Sequence, residues 1–214
     1  MNSFFRKIKT LLTDRSLRKK ILFVVFALFL FRLLASIPVP GIDTLRLAQF
    51  LEGNQFFGIF NALSGGGLSN FSIVMLGVGP YITGSIIMQL LTMMFPKIKA
   101  MYREEGEAGR LRMSQYSRML AVPLAGLQAF AFLKILQTGN ILPQLGGLDF
   151  AVNVIVVTAG SLLLMWIGEL ISEFGIGNGV SLIIFAGIVA ALPSHIAQFV
   201  LTFDPSQLPY YVLF

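Results

Sequence analysis

The sequence contains no cysteine and a single histidine, His195. The missing cysteines exclude a disulfide framework and thiol chemistry, and they leave the redox compartment unreadable. One histidine excludes a multi-histidine metal site. Charge is also scarce: 12% of residues are charged, against about 25% in a typical soluble domain. No polar block is long enough to form a separate soluble domain, so these shortages argue against a soluble protein and against a metal centre.

The sequence is instead rich in apolar residues. Hydrophobic residues make up 56% of the chain and the mean hydropathy is +0.80, which predicts an all-α membrane protein with several crossings. The net charge is +6, but the basic residues lie beside the apolar segments. There they set membrane topology and contact anionic lipid, so the charge does not predict direct binding of nucleic acid.

Five apolar segments are expected to cross the membrane as helices within residues 21–203. They cover 21–37, 72–95, 119–136, 150–171 and 181–203. Pro80 and Pro193 lie inside two of them and predict local kinks, because proline removes a backbone hydrogen bond. Residues 204–214 contain a turn and a short apolar run, which fits an outer connection followed by the first turn of a sixth helix.

Two basic stretches predict the topology. Residues 1–20 resemble a basic amphipathic segment on the membrane face, and 96–118 form a charged loop two crossings later. The positive-inside rule puts both in the cytoplasm. Gly106 and Gly109 predict a turn within that loop. A solvated loop and a docking surface for a cytosolic partner are both compatible with its composition.

The second apolar segment is preceded by a shorter one that cannot cross. Residues 56–63 span only about two helical turns, against a bilayer core of about 30 Å, and the glycines at 65–67 disfavour helix. Helix is expected to resume at Ser72 and to reach Phe95, about 35 Å further on. Non-helical backbone at membrane depth needs burial in protein or contact with water. The break therefore indicates a cavity or pore, or else an outer loop on the membrane surface.

Two further features stand out in the apolar segments. Arg32 interrupts the first, and it either reaches the outer face or a structural partner, or belongs to a polar pathway. The fourth and fifth segments are joined by Ser172–Gly179, SEFGIGNG, which predicts a tight turn because it contains three glycines.

Five motifs agree in order with one family. They are FRLLASIPVPGID at 31–43, FNALSGGGLS at 60–69, SIVMLGVGPYITGSIIMQLL at 72–91, EGEAGRLRMSQYSR at 105–118 and WIGELISEFGIGNGVSLII at 166–184. Together they closely resemble SecY, the central subunit of the protein-conducting channel of the Sec translocase. The resemblance covers the chain from about Arg18 to Phe214.

The resemblance implies a fold and a set of functional residues. In that family two inverted five-helix halves close around a pore, and this chain resembles the first half. The short segment at about 57–69 would be the plug that seals the outer side. Plug residues implied in this way are Phe60, Asn61, Leu63, Ser64, Gly65, Gly66 and Gly67. The hydrophobic pore ring would include Val78, Ile82 and Ile184, and the lateral gate would include Thr83 and Gln128.

The same resemblance implies partners. These are SecE-like and SecG-like small membrane subunits, signal peptides and nascent chains, the lipid bilayer, and the SecA motor and ribosome, which dock mainly on the second half. On this chain Arg103, Arg110 and Arg112 would contact cytoplasmic partners. Two departures from the family pattern are expected to matter: Gly84 would loosen helix packing, and Phe174 replaces a common basic residue in the inner turn.

The alternatives to a translocation channel are a solute transporter or ion channel and an intramembrane enzyme. A solute transporter or ion channel built from a five-helix repeat normally carries ionisable residues at mid-membrane, and only Arg32 lies at that depth. An intramembrane enzyme needs His, Asp, Glu or Cys groups together within helices. The sequence predicts no catalytic residue, metal site or cofactor, so the channel is the favoured interpretation.

Overall fold

The computed structural model describes residues 14–39, 61, 64, 67–68, 71–104, 106–139 and 146–201. This part of the chain is helical. Its helices are α1 Arg15–Ala35, α2 Gly79–Met94, α3 Pro96–Glu104, α4 Gly106–Thr138, α5 Gly147–Phe174 and α6 Gly179–Leu201. Its one β-type pairing is an isolated antiparallel bridge between Pro38 and Ser72.

Two of these helices, α4 and α5, are long and apolar enough to cross a membrane. Helix α6 is apolar over Gly179–Ala190. Helix α2 has only 16 residues, and α1 carries Arg18, Lys19, Lys20 and Arg32 among its 21 residues. The five predicted segments correspond to α1, α2, α4, α5 and α6, and the number of crossings stays a prediction.

Helix α1 begins earlier than the first apolar segment. The Asp14 side chain accepts a hydrogen bond of 2.9 Å from the Ser16 backbone N–H, which caps the helix. The basic residues at 15–20, expected to belong to a separate surface segment, are therefore the first turns of α1. The predicted segment at 1–13 lies outside the described residues.

Helix α2 begins later than expected, at Gly79 instead of Ser72. Residues 72–78 form successive tight turns in which Met75 N–H donates to Ser72 O at 2.9 Å and Gly77 N–H to Val74 O at 2.8 Å. Pro80 lies in the first turn of α2, where a missing N–H costs nothing. The predicted kink at Pro80 is therefore wrong.

The charged stretch at 96–118 is mostly helical, which the sequence did not predict. The predicted turn is present at Gly106, whose φ of +59° favours glycine, and α4 begins there. Gly109, expected in the same turn, lies inside α4 and is buried. Helix α4 continues through Pro123 to Thr138, so it includes both the end of the predicted loop and the third apolar segment.

Helix α5 lies at the centre of the fold, packed against α1, α4 and α6, while α2 packs chiefly against α4. Along α4 the buried residues recur every four positions from Gly109 to Leu133, with Leu136 after them, and most are small: Gly109, Met113, Ser117, Ala121, Ala125, Ala129, Leu133 and Leu136. Small side chains let helix backbones approach closely.

At Gly84 the backbones of α2 and α4 lie close together. A Cβ there would lie 3.0 Å from the Ser117 carbonyl oxygen and 3.5 Å from the Ala121 nitrogen. Gly84 is itself buried. The expectation that Gly84 loosens packing is therefore wrong: the missing side chain is what allows α2 to contact α4.

Two apolar clusters form the core. The first joins Leu68 and the turns at 71–76 to α4 and α5 through Phe71, Met75, Leu76, Ala129, Leu133, Leu136 and Val157, with Val39. The second joins α1, α5, α6 and the turns before α2 through Ala27, Phe31, Ala35, Val74, Val78, Leu164, Ile167, Ile171 and Ile183. The turns at 71–78 belong to both clusters, so they are held on two sides.

Candidate functional site

A cavity of about 890 Å³ opens between α2, α4, α5 and α6. Its apolar lining comes from Ile82, Ile86, Leu111, Val180 and Ile184. Its polar lining comes from Tyr81, Ser85, Gln89, Ser114, Arg118, Glu169, Ser172, Glu173, Asn178 and Ser181. The polar groups favour water in the cavity, whereas the isoleucines disfavour it.

An ion pair crosses the wall of this cavity. The Arg118 guanidinium of α4 contacts the Glu169 carboxylate of α5, and the two side chains are 39% and 21% exposed. Arg118 also donates a hydrogen bond of 3.4 Å to Ser114 Oγ. Charged groups within membrane helices are tolerated when they face a cavity and pair with each other. Sequence reasoning missed this pair, because neither helix alone shows what it faces.

Two of the three predicted pore-ring residues line the cavity. Ile82 and Ile184 come from α2 and α6 and share the same space. Val78 does not line it: this residue is 2% exposed and packs in the second core cluster. Val78 is the N-cap of α2, so it lies where the buried turns end. The ring assignment itself stays a prediction.

Part of the predicted plug is described. Ser64 Oγ donates to Asn61 O at 3.0 Å and accepts from Leu68 N–H at 3.2 Å, and Gly67 N–H donates to Ser64 O at 3.3 Å. Ser64 and Gly67 are buried. Phe60, Leu63, Gly65 and Gly66 lie outside the described residues, so the plug as a whole stays a prediction.

The two predicted gate residues lie at different levels. Thr83 Oγ1 donates to Gly79 O within α2 at 3.0 Å, and Gln128 is half-buried on α4. Gly84, next to Thr83, faces the turn of α4 that includes Ser117 and Ala121. Gln128 lies at least seven residues further along α4, about 10 Å or more along the axis. The structure therefore does not place the two side chains opposite each other.

The predicted functional arginines are in three places. Arg32 is exposed in the last turn of α1, where a cation is favoured by the helix dipole. Arg110 and Arg112 are exposed near the start of α4. Arg103 belongs to α3, and its side chain is outside the description.

The end of α5 and the turn to α6 contribute Ser172, Glu173 and Asn178 to the lining of the cavity. Ser172 Oγ donates to Gly168 O at 3.0 Å and accepts from Gly179 N–H at 2.8 Å, which ties the two helices together. A Cβ on Gly179 would overlap the Gly168 carbonyl, so this approach requires glycine. The tight turn is confirmed. Phe174, expected to cost a partner contact, meets the Phe23 ring edge-on at 6.1 Å.

Within the described ranges, no three His, Cys, Asp or Glu side chains gather in a way that could hold a metal ion. The cavity instead carries an ion pair on its wall, with branched apolar side chains beside it.

Comparison with solved structures supports a channel-type fold. Sec61 in the canine ribosome–channel complex from the endoplasmic reticulum aligns with a TM-score of 0.57 and 21% identity, over 79% of this chain and 36% of that chain. A structure described as a protein-conducting channel gives the same values. At this identity the likeness concerns the fold.

Sequence relatives give the family. The family model SecY matches residues 72–214. Protein translocase subunit SecY of Buchnera aphidicola subsp. Baizongia pistaciae is 43% identical over 83% of this chain and 42% of its own length. The subunit of Borreliella burgdorferi is 40% identical over 92% and 46%, and that of Mycobacterium tuberculosis 40% over 91% and 46%. The chain thus spans about half the length of these relatives, and it belongs to the SecY family.

Proposed function

We propose that this chain forms one half of the wall of a protein-conducting membrane channel, which moves unfolded polypeptides across the membrane and releases apolar helices into it. The proposal rests mainly on the positions of Ile82 and Ile184 in one cavity. They come from helices far apart in the sequence, yet they line the same cavity. Membership of the SecY family supports the same function.

The lining suggests how such a channel stays closed to ions and open to a polypeptide. Branched apolar side chains at a narrow point exclude water and ions by dewetting. The same side chains can turn aside for an extended chain, because they form no hydrogen bonds that must be broken. In this proposal Ile82 and Ile184 are half of that constriction, Val78 lies next to it, and the plug at 57–69 covers the outer side.

The polar side of the cavity would be its cytoplasmic mouth. Glu169, Arg118 and Ser114 lie on α5 and α4 near the basic start of α4, and the positive-inside rule puts that end in the cytoplasm. We place the N-terminus on the same side and the chain in a bacterial-type cell membrane. We keep Thr83 and Gln128 as proposed residues of the lateral gate, at different heights along α2 and α4.

Partners follow from the same proposal. The second half of the channel, SecE-like and SecG-like subunits, the SecA motor, the ribosome and signal-bearing clients are the expected ones. Arg103, Arg110 and Arg112 would contact the cytosolic partners, since Arg110 and Arg112 are exposed beside the cavity mouth. Catalysis has no part in the proposal.

The test is reconstitution in liposomes with a complementary C-terminal half from a SecY relative, a SecA-type motor and a signal-bearing client. We expect signal-dependent translocation when both halves are present. The chain alone should be inactive, because half a ring cannot enclose a pore. A client without its signal is the control.

Two outcomes would contradict the proposal. If both halves assemble but the client stays outside, the channel function is wrong. If the chain alone translocates efficiently, the half-channel arrangement is wrong, and a channel made of two copies of this chain takes its place.

A further inference from the structure

The turns at 71–78, here called the link, join the predicted plug to α2 and are almost wholly buried. Phe71, Ser72 and Val74 are 0% exposed, and Val78 is 2% exposed. Phe71 has a φ of +44°, which non-glycine residues adopt rarely. A buried, non-helical backbone needs partners for its polar groups. What holds the link therefore decides where α2 begins.

One side of the link is held by the end of α1. Val39 N–H donates to Phe71 O at 2.8 Å, and Ile73 N–H donates to Ile37 O at 3.0 Å. These two bonds form the bridge between Pro38 and Ser72. They are backbone bonds, so no side-chain substitution removes them directly.

The other side is held by two neighbouring residues of α5. Ser161 Oγ donates to Gly77 O at 2.8 Å, and this bond is buried. Gly160 leaves room for the link itself, because a Cβ on Gly160 would overlap the Ile73 carbonyl. Most other serine and threonine hydroxyls on these helices donate within their own helix, as Ser117 does to Met113 O at 3.0 Å. Ser161 instead reaches 84 positions back along the chain.

We propose that Gly160 and Ser161 form a clamp that holds the link, and with it the start of α2. Ser161 is thus a positioning residue that acts through the Gly77 carbonyl on Val78 and Ile82. The purpose of the clamp rests on the proposed channel function. Whether Gly160 and Ser161 hold the link in place is independent of that function. The link is also bonded to Gly67, since Ser72 N–H donates to Gly67 O at 2.7 Å.

The chain offers a direct probe of the link. It has no native cysteine, and the Ser72 hydroxyl is buried with no hydrogen-bond partner among the described residues. Ser72→Cys therefore places a nearly isosteric thiol in the link without removing a bond. Labelling of this thiol by a small membrane-permeant reagent, in membranes that contain both channel halves, measures how often the link opens.

In this background Ser161→Ala leaves a buried carbonyl unpaired. We expect labelling of residue 72 to become about fivefold faster, the factor that corresponds to one lost hydrogen bond. Gly160→Ala should act in the same direction by displacing the Ile73 carbonyl. Ser117→Ala, which removes an equally buried hydroxyl from α4, is the matched control and should leave the rate unchanged.

A second pair of variants separates the loss of the hydrogen bond from the void that Ser161→Ala leaves in the core. Ser161→Thr and Ser161→Val differ only in the hydroxyl, so slow labelling in the threonine variant and fast labelling in the valine variant would support the clamp. Equal labelling in this pair, or in Ser161→Ala and Ser117→Ala, would overturn it. Ion leak through the assembled channel is recorded in parallel. Faster labelling with no rise in leak in any variant would still support the clamp, but it would count against the proposed constriction at Ile82 and Ile184.

Discussion

At the residue scale, the isoleucines Ile82 and Ile87 of α2 have different surroundings. Ile82 lines the cavity with Ile86 and Gln89, whereas Ile87 does not. A helix turns by about 100° per residue, so Ile87 lies well away from the cavity face. Two residues of the same type, five positions apart, thus serve as test and control.

We expect Ile82→Ser to raise ion leak through the channel assembled from both halves, because a small polar side chain lets water into the constriction. Conductance of proteoliposomes without client measures the leak. Ile87→Ser should change it much less. Equal leak from both variants, or none from either, would remove Ile82 from the pore ring.

The contact at Gly84 leads to a stability prediction. A Cβ at 3.0 Å from the Ser117 carbonyl forces α2 away from α4, and overpacking of this kind costs about 1–3 kcal/mol. We therefore expect Gly84→Ala to lower the thermal unfolding midpoint in detergent. Gly126→Ala on α4 meets nothing within 4 Å and should leave the midpoint unchanged or higher, since alanine favours helix. A lowered midpoint in both variants would show a general intolerance of alanine instead.

At the element scale, α4 connects the two sides of the predicted topology. It runs from the charged stretch at Gly106 to Thr138, and α5 then begins at Gly147. The ion pair between Arg118 and Glu169 lies nearer the charged end of α4. Charge is thus concentrated at one end of this helix pair, as the positive-inside rule requires of the cytoplasmic side.

We expect a cysteine at Glu107 to react with an impermeant thiol reagent only from the cytoplasmic side. A cysteine at Leu148, 84% exposed at the start of α5, should react only from the outside. Position 107 is used instead of 106 because Gly106 has a positive φ, where a side chain would be strained. Labelling of position 107 from the outside would invert the topology.

At the scale of the whole molecule, this chain encloses the cavity between α2, α4, α5 and α6 only in part, and in the proposed channel a second half would complete its wall. Its wall holds an ion pair and several hydroxyl and amide groups. Polar groups that face hydrocarbon without partners cost several kcal/mol each. In the bilayer this surface must meet water or another protein.

We therefore expect the purified chain to self-associate in mild detergent and to become a defined complex when a complementary C-terminal half is added. Light scattering after size exclusion gives the mass of each species. The co-expressed pair is the reference. A stable monomer that does not bind the C-terminal half would contradict this expectation, whatever the result of the translocation assay.

Local sequence patterns were enough to predict the class, the family and most helix positions. Long apolar runs with basic flanks require membrane helices, because both signals are local. The turn at 172–179 was readable from its glycines, and Ile82 and Ile184 were named from a resemblance in sequence. Each of these predictions uses a local stretch of sequence, and Ile82 and Ile184 belong to two separate motifs.

How these elements meet was visible only in the folded chain. The link before α2 is hydrogen-bonded to Ser161 and to the end of α1. The tight packing at Gly84 depends on Ser117, and the charge of Arg118 is matched by Glu169. Val78 is buried because α1, α5 and α6 surround it. Periodicity describes which face of a helix is apolar, but not which neighbour covers it. These partners are set by packing between segments distant in sequence.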